Sequence, residues 1–166
     1  MKLYAYNKPV GEETAEKLFT PEGGAEVKLY PVAPLSKDGA RGLVVYTDDA
    51  SKAAELSEKL AGSEMEYHVW VKDHLSVPII QAVRAGVELP DGSKSQPCRI
   101  SWTEADGYVI NYKPCTEQFL EELSKAMGTE CKELKRFRVA NLKVKKVPLG
   151  GFEEYSEAEV EAFLAM

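Results

Sequence analysis

Residues Pro34 to Asp49, PLSKDGARGLVVYTDD, set small, polar and charged side chains directly against a short apolar run. That is how a loop enters a strand, and it is also how the edge of an active site reads. Three carboxylates lie in it: Asp38, Asp48 and Asp49. A carboxylate held at a cleft can act as nucleophile or as general base. Asp48 and Asp49 make a poor dyad, because adjacent side chains at a strand end or helix cap point in different directions. Asp38 stands apart in SKDG, with Arg41 close enough in sequence to pair with it.

A second group of charges is KELKRFRVANLKVKK, Lys132 to Lys146, whose charged residues are all basic except Glu133. It reads either as the solvated side of two antiparallel strands or as a stripe that contacts phosphates. The net charge of the whole chain is -6, so any nucleic-acid face must be local. The three cysteines, Cys98, Cys115 and Cys131, are scattered and odd in number, which argues against a disulfide framework. There is no CxxC pair, and His68 and His74 have no cysteine at ligand spacing, so no metal site is expected.

These residues need a scaffold. At 166 residues the chain has the length of one domain, and 44% apolar residues can bury a core. No apolar run reaches bilayer-spanning length, and MKLYAYNKPVG lacks the features of a signal peptide. A cytoplasmic protein, not bound to a membrane and acting as a monomer, is the expectation.

Alternation predicts strands at Leu3–Asn7 and Glu66–Lys72, the latter with Tyr67, Val69 and Val71 on one face and Glu66, His68, Trp70 and Lys72 on the other. The apolar run Gly42–Thr47 suits a strand buried on both faces. VKLYPVAPL is extended, and GEETAEKLF suggests one helical turn. Two strands in CRISWTEADGYVINYKP are joined by a turn around Ala105 to Gly107. Helices are predicted in DDASKAAELSEKLAG, capped by Asp49 or Ser51, and in SVPIIQAVRAGV. Two more follow, TEQFLEELSKAMG capped by Thr116 and SEAEVEAFLAM capped by Ser156 with Glu159 in a capping box. The mixed order is that of an α+β fold.

The same segments, in this order, resemble the catalytic domain of the bacterial ribosomal RNA pseudouridine synthases of the small-subunit (Rsu) type. NKPVG looks like that family's NKPxG, PVAPLSKDGARGLVVYTDDA like PVGRLDxxTxGLLLLTNDG, and EYHVWV like KxYxVxV. IQAVRAGVELPDG looks like LRxGVxLxDG, and INYKPCTEQFLEELSKAMG like ITLxEGRNRQVRRMLEAxG. ELKRFRVANLKVKKVPLGGFEEYSEAEVEAF looks like xLxRxxIGxLxLxxLxxGxxRxLTxxEVxxL.

The resemblance implies a mixed, mainly antiparallel sheet flanked by helices, and an RNA partner, ribosomal in kind. It also implies that no cofactor is needed. A uridine is flipped out of the RNA into a cleft. There an aspartate starts the cleavage of the glycosidic bond, the uracil turns, and C5 bonds to the sugar. On this resemblance Tyr67 is the aromatic that stacks on the base, Leu134 and Arg136 match the family's LxR, whose leucine lines the base pocket, and Arg136 and Lys8 are further candidates to meet substrate. The catalytic aspartate has no exact counterpart: counting from Pro34-Leu35 its slot falls on Ser36, and counting back from Gly42 it falls on Lys37. Asp38 is the nearest carboxylate.

Pro34 stands where the family has arginine, Met65 where it usually has lysine, and Glu121 and Glu122 where it has two arginines. The small S4-like RNA-binding domain that precedes the family's catalytic domain has no counterpart, so residues 1–166 are expected to form one domain. Two functions fit these departures. One is a pseudouridine synthase that uses Asp38. The other is an inactive homologue that binds RNA through the Lys132–Lys146 stripe, or a protein partner through the acidic helix.

Overall fold

Strand β5 (Met65–Val71) alternates as its sequence demands, burying Met65, Tyr67, Val69 and Val71 and leaving Glu66, His68 and Trp70 half-covered on the other face. It lies near the middle of a ten-stranded sheet, seen in a computed structural model that describes residues 1–103 and 106–166. The central path runs β10 (Phe152–Glu154), β1 (Leu3–Lys8), β4 (Arg41–Thr47), β8 (Cys131–Val139), β5, β7 (Gly107–Tyr112) and β6 (Arg99–Trp102). β3 (Val27–Ala33) pairs with β4, β2 (Lys17–Phe19) with β3, and β9 (Leu142–Lys143) with β8. The short β4–β8 contact is parallel, Arg41 beside Lys135 and Gly42 beside Arg136, and the other named pairs are antiparallel. This is the mixed, mainly antiparallel α+β architecture that the sequence predicts.

Gly42 makes the β4–β8 contact feasible. Its φ is +106°, and a Cβ there would run into the Arg136 backbone, so both the conformation and the close approach require glycine.

Four helices pack on this sheet among the described residues: α1 (Ala53–Ala61), α2 (Val77–Ala85), α3 (Glu117–Ala126) and α4 (Glu157–Leu164). α3 begins where Thr116 accepts a hydrogen bond from Phe119 N–H, and it buries Leu120, Leu123 and Ser124. α4 carries the predicted capping box between Ser156 and Glu159. α1 departs from expectation: its N-cap is Lys52 with no side-chain cap, because Asp49 turns back to accept from Ser51 instead. GEETAEKLF forms no helix; Lys17–Phe19 is taken up as β2 against β3, where its backbone groups find a sheet partner. β6 and β7 pair as predicted, and the turn proposed between them includes Ala105, which lies outside the described residues.

Candidate active site

A cleft of about 440 Å³ opens between the end of β3, β5, the last turn of α1 and the start of α3. That is within the range of roughly 300–1,000 Å³ typical of small-molecule sites. Its walls are mainly apolar, with Val32, Ala33, Pro34, Met65 and Tyr67 on one side and Cys115, Thr116 and Glu117 on the other. Tyr67 is 1% exposed and is placed here by the period-two register of β5. Burial pushes its phenol up to about 12, against the opposing pull of Arg136, so the hydroxyl stays neutral at physiological pH.

Arg136 lies opposite Tyr67 on the neighbouring strand β8, at 2% exposure. Its Nε donates to Leu43 O at 2.9 Å, one terminal nitrogen donates to Ala33 O, and the other reaches Pro34 O at 3.5 Å. A buried guanidinium must be satisfied, and here main-chain carbonyls at the end of β3 and in β4 satisfy it. Arg136 thus ties the entry and exit of the Pro34–Ala40 loop to β8.

Lys8 is buried to 1% exposure, and it does the same from below. Its Nζ donates to Pro9 O at 2.9 Å, Lys37 O at 3.0 Å and Ala40 O at 3.1 Å. Desolvation lowers its pKa, and Glu117 is the largest of the charges that oppose this, ahead of Glu12 and Asp38. Two more contacts fix the loop: Gly11 N–H donates to Lys37 O at 2.8 Å, and the Thr14 hydroxyl donates to Leu35 O at 2.8 Å.

At the mouth, the Ser36 hydroxyl donates to Glu117 Oε1 at 2.5 Å and Ser36 N–H donates to Oε2 at 3.0 Å. Gly39 N–H donates to the Ser36 hydroxyl oxygen at 3.0 Å. A Cβ on Gly39 would overlap both Ser36 Oγ and the Glu117 carboxylate, so the glycine leaves room for this pairing. Among the described residues, Glu117 is the one acid that lines the cleft.

The structure therefore brings Tyr67 and Arg136 together in the cleft, with Lys8 under its loop. The other candidates lie elsewhere. Asp38 is exposed on the turn at residues 37–39 and does not line the cleft. Arg41 does not pair with Asp38: its Nε donates to Glu133 Oε1 at 2.5 Å, and its guanidinium lies 5.1 Å from the centre of the Trp70 ring. Leu134 is a core residue that faces Val69 across the β5–β8 ladder, outside the cleft lining.

The Lys132–Lys146 segment is not one stripe. Arg136 is buried, Arg138 is held by Glu64 and Asn111, and Lys145 is held by Glu159. Strand alternation sends neighbouring charges to opposite faces, and a count of basic residues along the chain cannot show that.

Neither Glu117 nor Cys115 could be read from the sequence as a cleft residue. Thr116 was legible as a cap, which puts Glu117 in the first turn of α3, but the approach of that turn to Ser36 spans 81 residues. Cys115 lines the cleft, but burial pushes its thiol up to about 12, so it is no nucleophile at neutral pH.

No family model matches the chain. It is 23% identical over 163 residues to the dual-specificity RNA pseudouridine synthase RluF of Escherichia coli K12, covering 95% of this chain and 56% of that protein. The Salmonella typhi protein of the same name gives the same identity and coverage. The chain thus spans little more than half the length of these relatives. Among solved structures, a pseudouridylate synthase superposes with a TM-score of 0.74 at 17% identity, covering 96% of this chain and 72% of that one. A chain of an H/ACA ribonucleoprotein bound to a substrate RNA containing 2'-deoxyuridine gives 0.56 at 15% identity, covering 86% and 48%. At these identities the superpositions show the fold.

Proposed function

We propose, for a chain that is a divergent homologue of the bacterial ribosomal RNA pseudouridine synthases, that the cleft over Tyr67 receives a uridine flipped out of structured RNA and isomerises it to pseudouridine. The observation that carries this reading is the buried Tyr67 wall, placed beside the only carboxylate that lines the cleft among the described residues. A flat, neutral ring in an apolar cleft orients a pyrimidine by stacking and excludes water from the reacting bond. Arg136 and Lys8 serve the reaction by holding the walls and the loop through hydrogen bonds to main-chain carbonyls.

The reading is tested by incubating the protein with small- and large-subunit ribosomal RNA transcripts that carry tritium at uridine C5. Isomerisation replaces that tritium with the bond to C1′, so it appears in water. Asp38→Ala is the internal control. Release that vanishes in that variant would bring Asp38 into the reaction despite its exposed turn.

A second reading is favoured by the absence of a carboxylate from either count of the aspartate slot, Ser36 or Lys37, and by the exposed Glu121 of α3, which would repel phosphates. In it the chain is an inactive homologue that binds RNA or a protein. RNA binding with no tritium release from either transcript would support it.

A further inference from the structure

We infer that Glu117, on a helix rather than on the loop, is the carboxylate that reacts with substrate in this cleft. The inference rests on the uridine-isomerising reading and deepens it. Counted from either side, the aspartate slot holds no carboxylate, only Ser36 or Lys37, which would ordinarily leave the site without its nucleophile. Here the Ser36 side chain and its N–H both point to one carboxylate, at 2.5 Å and 3.0 Å. An acid is thus supplied within one hydrogen bond of Ser36, from an element 81 residues away in sequence.

The arrangement is built for it. Two donors from one residue fix the plane of the carboxylate, and the Gly39 N–H fixes the Ser36 hydroxyl in turn. Gly39 must lack a side chain for the carboxylate to fit. The first turn of α3, capped by Thr116, supplies a favourable field for a negative charge. The Lys8 ammonium, held under the loop, responds to Glu117 more than to any other carboxylate. The competing acids are placed otherwise: Asp38 is exposed outside the cleft lining, and Glu12 is bound to Tyr6 and Lys17.

In the reaction, a Glu117 oxygen attacks C1′ of the flipped uridine as the N1–C1′ bond breaks, and that electron pair leaves with the uracil. The uracil turns against Tyr67. C5 then attacks C1′ and displaces the carboxylate oxygen, C5 loses its proton to water, and N1 gains one. Atoms and charge balance with no further reactant.

The test measures tritium release and RNA binding for the unmodified protein, Glu117→Gln, Glu117→Asp, Ser36→Asp and the double variant Ser36→Asp/Glu117→Gln, each with a thermal melt. Glu117→Gln should cut the single-turnover rate by about a hundredfold or more while RNA binds at least as tightly and the melt is unchanged. Glu117→Asp keeps the charge at the helix start but withdraws it, so a rate loss there without a change in melting separates chemistry from folding. The double variant should recover part of the rate.

Unmodified and Glu117→Gln proteins that release tritium equally would overturn the inference and leave the uridine reading standing. Release by Ser36→Asp alone, with the unmodified protein silent, would overturn it too and show an intact cleft that has lost its acid. Silence of every variant on both transcripts would overturn the inference and the uridine reading together.

Discussion

On one face of β5, Tyr67 and Met65 lie against a buried guanidinium that donates to Leu43 O, Ala33 O and Pro34 O and reaches Met65 Sδ. On the other face, His68 and Trp70 stack at 4.2 Å, Phe137 follows at 5.8 Å from His68, and the row ends in cations, Arg41 over Trp70 and Lys135 over Phe137. Both faces carry cations and aromatic rings on β5 and β8, and β4 adds Arg41 to the second. The first buries its cation and uses it to set the path of a loop. The second leaves its cations half-covered, where Coulomb attraction is screened and each contact contributes little. A charged residue therefore shapes the site here in proportion to how many backbone groups would be orphaned without it.

The sharpest way to break that contrast is Arg136→Met. Methionine fills much of the volume but donates nothing, leaving carbonyls of Leu43 and Ala33 buried and unpaired. Each orphaned group costs roughly 1–3 kcal/mol, so a loss of about 3 kcal/mol or more is expected in urea unfolding. A loss below about 1 kcal/mol would mean that water replaces the guanidinium and that the cleft face is no better sealed than the other. Lys8→Met comes next, at about 2 kcal/mol. Its signature is local: the Gly11 N–H, bonded to Lys37 O, should exchange with solvent faster while amides in the middle of β5 are unchanged. Equal protection of Gly11 in both proteins would show that the loop holds its shape without Lys8.

This contrast also explains what the sequence could and could not reveal. Tyr67 was readable because a strict alternation fixes which residues share a face, and burial follows from that alone. Thr116 and Ser156 were readable because caps constrain residue type locally. Arg41 was misplaced because proximity along the chain suggested Asp38, while the parallel β4–β8 pairing brings Glu133 within reach. Leu134 was assigned to the pocket by resemblance, yet the register sets it against Val69. Glu117 was invisible for the same reason in stronger form: its meeting with Ser36 is made by a crossover of the sheet, and no local pattern encodes such a contact.

On the open face, Arg41→Ala should cost no more than about 1 kcal/mol, the sum of a half-exposed ion pair to Glu133 and a contact with Trp70. A larger loss in urea unfolding would place Arg41 with Arg136 among the structural cations.

The smallest effect is confined to a pH window and concerns His68. Its Nε2 is buried with no hydrogen-bond partner among the described residues. Burial first, then the charges of Lys135 and Arg41, lower its pKa below the ordinary 6.5, while Glu133 and Glu66 pull weakly the other way. The unfolded chain therefore takes up the proton more readily than the folded one. By linkage, the contribution of neutral His68 to stability is complete above the unfolded pKa and is lost as pH falls through the folded one. His68→Phe keeps the stacked ring and removes the titration. Above the unfolded value, Phe should match or slightly exceed the unmodified protein, since it also removes an unpaired buried nitrogen. Below it, the unmodified protein should fall away from the variant. Both also lose stability as depressed carboxylates such as Glu64 and Glu159 protonate, so the quantity to follow is the difference between the two proteins. A difference that stays flat across the window would mean that the His68 ring gains water when it is protonated, and that the open face is less covered than the cleft face by more than its ring contacts suggest.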